Sequence, residues 1–160
     1  MSTIVEKAKL TVDELLERRH RLHTYEERVQ HALDLVYMHF ETENPERIDE
    51  CIRLYTHDAE WEAPARRVSY KGPQRIKEMY VKLFGASRDL SFTPVERYAT
   101  PDRVFDDHVF EFQLISHEGF ENCPFPVGTH CSVRLVHNFH IRDGLIAKEI
   151  GYEVWRRLND

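Results

Sequence analysis

At 160 residues, with 28 acidic against 22 basic side chains and a net charge of −6, the chain has the length of one domain. Its charge has the wrong sign for a nucleic-acid or anionic-membrane partner. Hydrophobic residues make up 41% and charged residues 31%, the mix of an ordinary globular protein, and no apolar run approaches the roughly 20 residues of a membrane span.

The opening stretch, MSTIVEKAKLTVDELLERRH, carries early charges and no long apolar region, unlike a secretory signal. Thr11 with Glu14, and Thr24 with Glu27, form two capping boxes. The second opens TYEERVQHALDLVYMHF, where Val29, Ala32, Leu33, Val36 and Phe40 fall on one helical stripe. In ENPERIDECIRLY, Asn44 is placed as a cap and Pro45 in the first turn, with Ile48, Cys51, Ile52 and Tyr55 at helical spacing. A short strand, AEWEA, comes next. KGPQRIKEMYVKLFG then reads as a core helix opened by Gly72-Pro73 and closed by Gly85. Cys51, Cys123 and Cys131 are odd in number and lack zinc-like spacing, which fits free thiols and a cytoplasmic location.

After Gly85 four strands follow: LSFTPVERYAT, RVFDDHVFEFQLIS, THCSVRLVHNFHI and LIAKEIGYEVWRRL. Asp143-Gly144 is a two-residue hairpin signal between the last two. Helices first and an antiparallel sheet second make an α+β pattern. In LVHNFHI the period of two puts Leu135, His137, Phe139 and Ile141 on one face, so an imidazole sits amid apolar neighbours. Reflecting the chain about Asn122 brings His137 opposite His108, Leu135 opposite Phe110 and Phe139 opposite Asp106. The Asp-Gly turn brings Ile150 and Tyr152 beside His137 and Leu135. One face is then apolar with Asp106, His108 and His137 at one end, the description of a small-molecule pocket.

RIDECIRLYTHDAEWEAP, YKGPQRIKEMY and FHIRDGLIAKEIGYEVW together resemble the SnoaL-like proteins. These belong to the nuclear transport factor two-like superfamily, related to ketosteroid isomerase and polyketide cyclases. The resemblance spans about residues 25–157 and rests on a Y-x-x-D-A-x-W join, a K-G-P-x-x-I helix start and an R-D-G-x-I hairpin. It implies a cone-shaped fold: N-terminal helices on a strongly bent antiparallel sheet enclosing an apolar cavity. Residues 1–22 lie outside the resemblance and are expected to be a helical extension to a domain over 23–160, and the resemblance implies a homodimer through the outer sheet face. It also implies chemistry without a cofactor. The isomerase's general-base aspartate falls on Ala63, so that base is missing, and Glu62 is expected to point away. The isomerase's oxyanion-hole aspartic acid falls on His137, and its oxyanion-hole tyrosine near His39, with Tyr37 close by.

For His137 two readings stand: a buried histidine bonded to an acceptor, or a general acid/base facing a ligand. His108 and Asp106 are its candidate supports, although Asp106 also reads as a strand-end residue facing water. His39 or Tyr37 reaches the cavity. Trp61, Ala63, Phe110, Phe112 and Tyr152 supply walls, or are simply core aromatics and alkyl groups. No H-x-H or H-x-x-x-H pair suggests a metal, and no glycine-rich loop a nucleotide phosphate. The expected function is isomerisation, aldol-type cyclisation or dehydration of a hydrophobic carbonyl compound by acid/base catalysis. A non-catalytic binding or assembly module is the alternative.

Overall fold

The computed structural model describes residues 10–159. Four α-helices, α1 (Val12–Arg18), α2 (Tyr25–Thr42), α3 (Ile48–Ile52) and α4 (Pro73–Ala86), accompany six strands. The strands are β1 (Tyr55–Ala63), β2 (Val68–Lys71), β3 (Ser87–Thr100), β4 (Arg103–Leu114), β5 (His130–Arg142) and β6 (Leu145–Arg157). They form one curled sheet in the order β2-β1-β6-β5-β4-β3, antiparallel at every pair except the parallel β1–β6.

Both capping boxes form. Thr11 Oγ1 accepts from Glu14 N at 3.2 Å while Glu14 Oε2 accepts from Thr11 N at 2.7 Å, and Thr24 with Glu27 repeats the exchange. Each pair satisfies two amides that the first helical turn leaves unbonded. The third helix is shorter than its spacing implies. Asn44 Oδ1 accepts from Arg47 N at 2.9 Å, making a turn, and α3 starts only at Ile48. Gly85 lies inside α4 rather than ending it. The strand β2 has no counterpart in the sequence reading; it pairs with the far half of β1 after a 3-10 turn over Pro64–Arg66.

Helices α2 and α4 lie on the inner face of the sheet. Leu35, Val36, Ile76, Met79, Phe139 and Ile146 form the centre of one apolar cluster, with Val12 and Leu15 of α1 packed into it. A second cluster, Phe110, Phe112, Leu114, Phe120, Cys131 and Val133, fills the far end beneath the loop 115–129.

Two registers differ from the reflected ones, with unequal consequences. On β4–β5, His137 faces Asp106 and Leu135 faces His108, a slip of two residues. The connecting loop turns unevenly, with Phe120 N bonded to His117 O and Cys123 N to Phe120 O, so its midpoint is not Asn122. A slip of two keeps every side chain on its face. On β5–β6, Ile141 faces Ile146 but His140 faces Lys148, so Ala147 is an extra residue on β6. This bulge moves the following side chains by one and exchanges their faces. Glu149, Gly151 and Glu153 turn inward, and Tyr152 goes out to solvent at 47% exposure. Tyr152 therefore lines no part of the cavity, contrary to its sequence assignment.

Candidate active site

A cavity of about 90 Å³ lies between the two apolar clusters. That volume is room for about six to nine waters, which suits a ring-sized molecule. Most of its wall is apolar: Phe40, Leu83, Phe84, Phe110, Phe112, Val133. Polar side chains enter at separate places: Glu43 from the end of α2, His108 from β4, His137 from β5, and Arg66 with Glu153 near Trp61.

His108 and Asp106 alternate along β4 with Phe105, Asp107 and Val109 of the outer face, so both point inward. His108 Nδ1 lies 2.8 Å from Asp106 Oδ1, and Arg97 Nε donates to Asp106 Oδ2 at 2.7 Å from the paired position on β3. Burial raises the Asp106 carboxyl, but the His108 bond and the Arg97 guanidinium outweigh it and hold the pKa below the ordinary aspartate value. An ionised Asp106 only accepts, so His108 carries its proton on Nδ1. In the neutral ring Nε2 then bears the lone pair, and that atom finds no hydrogen-bond partner among the described residues. The rings of Phe40, Phe92 and His137 surround that imidazole at 5.4–5.7 Å between centroids.

His137 sits one strand over. Its Nε2 lies 3.4 Å from Glu149 Oε1, the ring packs over Gly151 on the paired strand, where a Cβ would stand 3.9 Å from it, and its Nδ1 is buried without a partner among the described residues. Burial is the main cause of its pKa falling to about 4, although Glu149 pulls the other way. His137 is thus a neutral ring at physiological pH.

Beneath the wall lies a buried polar network. Glu149 Oε2 accepts from Tyr55 OH at 2.5 Å, and Tyr80 OH bonds both carboxylate oxygens at 3.1 Å. His39 Nε2 stands 3.5 Å from Glu149 Oε1 and 3.2 Å from Glu43 Oε2, while its Nδ1 meets Cys51 Sγ at 3.2 Å. Burial opposes charge on His39, yet Cys51 and Glu149 outweigh it and its pKa stands well above the imidazole value. Burial likewise pushes Glu149 up, but His39, His137 and Tyr55 bring it down to about 2. The pair is therefore an ion pair. Glu43 behaves differently: burial dominates, and it keeps its proton to a higher pH than an ordinary glutamic acid. Two carboxyl groups flanking one imidazolium are thereby driven apart in acidity.

Asp106, His108 and His137 offer ligand atoms within 4.8 Å of one another, a spacing a divalent ion accepts. Arg97 already matches the charge of Asp106, so the arrangement fits a hydrogen-bonded pair better than a cation site.

Of the residues chosen from sequence, His137, His108, Phe110, Phe112 and Trp61 line the cavity. Asp106 does not face water; it is 3% exposed behind His108. His39 lies under the wall, fully buried, and Tyr37 on the same helix is 37% exposed, away from the cavity. Ala63 is buried at the end of β1 and is not part of the wall. The sequence reading missed Glu43, Glu149, Arg66, Glu153 and Arg97. Glu149 and Glu153 occupy outer-face positions in the unbulged register, and only the bulge brings them in.

A family model, the SnoaL-like domain, matches residues 36–149. The chain belongs to the SnoaL-like family. No curated protein matches its sequence. Among solved structures, an NTF2-like protein from Burkholderia xenovorans is 14% identical with a TM-score of 0.65, over 79% of this chain and 91% of that one. An LEH-like epoxide hydrolase from Mycobacterium tuberculosis is 13% identical with a TM-score of 0.60, over 79% and 84%. Rv0760c of the same organism, in complex with estradiol-17β-hemisuccinate, is 20% identical with a TM-score of 0.59, over 76% and 92%. These likenesses establish the fold that the SnoaL-like chain shares with ketosteroid isomerase-like and NTF2-like proteins.

Proposed function

We propose that this SnoaL-like protein is a cofactor-independent enzyme that moves a proton on a hydrophobic carbonyl compound, in an isomerisation, aldol-type cyclisation or dehydration. One observation carries the reading: Asp106 fixes the His108 proton on Nδ1 at 2.8 Å, leaving a basic Nε2 without a partner in the wall of an apolar cavity. His108 Nε2 takes a proton from the carbon beside the carbonyl. The C–H electron pair becomes the enolate, whose oxygen accepts a hydrogen bond or a proton from Glu43. Return of the proton from His108 to a different carbon of the conjugated enolate completes an isomerisation, and attack of the enolate on a second carbonyl, whose oxygen takes the proton from His108, completes an aldol step. The apolar walls strengthen each of these interactions by excluding water. His137, the first choice from sequence, is assigned the lesser part of a neutral ring stacked beside His108.

Loss of a positioned base costs about 10²–10⁴ in rate. Hydrogen–deuterium exchange at the α-carbons of cyclohexanones in D₂O, followed by NMR, tests this: the protein accelerates exchange and His108→Ala returns it to the buffer rate. Failure to accelerate exchange on a panel of cyclic and unsaturated ketones sinks the proposal. Ligand storage without turnover is the second reading, favoured by the closure of both His108 Nε2 and His137 Nδ1 to water. Saturable binding of those ketones without exchange selects it.

The same reading takes residues 1–22, of which 1–9 lie outside the described residues, as an extension of a domain over 23–160, and the chain as a cytoplasmic homodimer. The outer sheet face supports the dimer: Tyr98, Tyr152 and Val154 are each about half exposed there, around a shallow groove that includes Phe105 and Val136. A monomer mass by light scattering at micromolar concentration rules the dimer out.

A further inference from the structure

We propose that the end of the cavity near Trp61 is a second recognition point, which binds an uncharged hydrogen-bond acceptor, a carbonyl oxygen, on the indole N–H. The inference deepens the function proposed above and rests on the cavity being a ligand site. Trp61 is 5% exposed and forms part of the wall, yet its Nε1 is closed to water and has no acceptor among the described residues. Leaving a buried donor unbonded is costly, and folded proteins seldom do so. The other tryptophan is the internal contrast: Trp155 Nε1 donates to Glu153 Oε2 at 2.7 Å.

The neighbouring charges determine what kind of oxygen fits. Arg66, whose guanidinium lies 5.8 Å from the Trp61 ring centroid, grips Glu153 through Nε at 2.9 Å and through its Nη2 at 3.1 Å. Another of its nitrogens donates to Glu121 O at 3.2 Å, and Asn122 Nδ2 donates to Arg66 O. Both Arg66 and Glu153 are nearly fully buried, so the pair is neutral overall and held in place. A carboxylate entering here meets no unmatched cation and lies beside Glu153. A neutral oxygen avoids that cost.

Trp61 on β1 stands three strands from His108 on β4, and both line the one cavity with apolar wall between. The ligand class is therefore a ring-sized apolar body with a reactive carbonyl at one end and a second, neutral carbonyl at the other.

Three probes on one ring test this: 4-acetylcyclohexanone, 4-isopropenylcyclohexanone, in which a CH₂ group replaces the acetyl oxygen, and 4-oxocyclohexanecarboxylate. The acetyl compound is expected to bind about tenfold tighter than the isopropenyl one, the factor for one buried hydrogen bond. In Trp61→Phe that ratio falls to near one. In the unaltered protein the indole N–H resonance of Trp61 moves on addition of the acetyl compound while that of Trp155 stays, a readout that needs no variant to fold. His108→Ala separates the two proposals. An acetyl preference that survives in a variant without exchange supports this subsite whatever His108 does, and exchange without the preference overturns the subsite alone. Equal binding of the first two probes, tighter binding of the carboxylate, a motionless Trp61 resonance, or no saturable binding of the acetyl compound each overturns the inference.

Discussion

Replacing Asp106 by Asn separates the charge behind His108 from the shape around it. The carboxylate takes two donors, Arg97 Nε at 2.7 Å and His108 Nδ1 at 2.8 Å. An amide has one oxygen and one NH₂, and Arg97 can only donate, so the oxygen of the new amide turns toward Arg97. Its NH₂ then faces His108 Nδ1, which must accept, and the imidazole proton moves to Nε2. The base disappears while the ring stays where it was. A wrong tautomer of this kind lowers turnover by a factor on the order of 10⁴. The cost to folding is smaller. The charge on two hydrogen bonds is lost, but Arg97 is 26% exposed and can turn to water, so about 2–3 kcal/mol is expected. Long-range proton–nitrogen NMR of the His108 ring reads the tautomer, and α-exchange of 4-isopropenylcyclohexanone reads the activity. The reasoning is refuted if His108 carries its proton on Nε2 before the substitution, or if the tautomer switches and exchange does not slow.

Further expectations follow from the same geometry. His137 has a folded pKa of about 4 against about 6.5 unfolded. The unfolded chain therefore binds the extra proton first, and stability is lost as pH falls from about 6.5 toward 4. Urea titrations across that window should show a contribution approaching roughly 3 kcal/mol that is missing in His137→Asn; a slope equal in both proteins contradicts the assignment. Glu153→Gln leaves Arg66 buried without a counter-charge and should cost about 3–5 kcal/mol by denaturant unfolding, with much of the loss recovered when Arg66→Met is added. Gly119 has φ +86, and a Cβ there would lie 2.4 Å from Leu83 N, a backbone atom that cannot move aside. Gly119→Ala should destabilise by more than about 2 kcal/mol, read as a fall in the thermal midpoint.

The helices and the hairpin turn were legible because their signals are local. Thr24 and Glu27 lie three residues apart in the chain and bond to each other, so no distant contact can overrule them. The inner face of β4 and β5 was legible for a different reason. The alternation of Asp106, His108, Phe110 and Phe112 survives any even slip of register, including the slip of two that occurs. Pairing was not legible, because it depends on how loop 115–129 folds back. The polar network was hidden most completely. Glu149 reads as a surface residue between Lys148 and Ile150, and its burial requires Ala147 to bulge and Tyr55, Tyr80 and His39 to converge from other elements. Arg66 lies in a stretch without period, and nothing in PARRV signals a buried cation.

The extra residue at Ala147 acts as a hinge between two possible proteins written in the same letters. Pair Ala147 with His140 instead of bulging it, and the strand beyond it turns over. The interior would then receive Ile150, Tyr152 and Val154, and two acids would be handed to the water. The last strand would then bring no charge to the hollow, without a single polar side chain being substituted. Within this architecture, a single bulge in the last strand thus decides whether the lining that strand supplies is acidic or apolar, and chains that pair it differently can share most residues yet not the polarity of their interior.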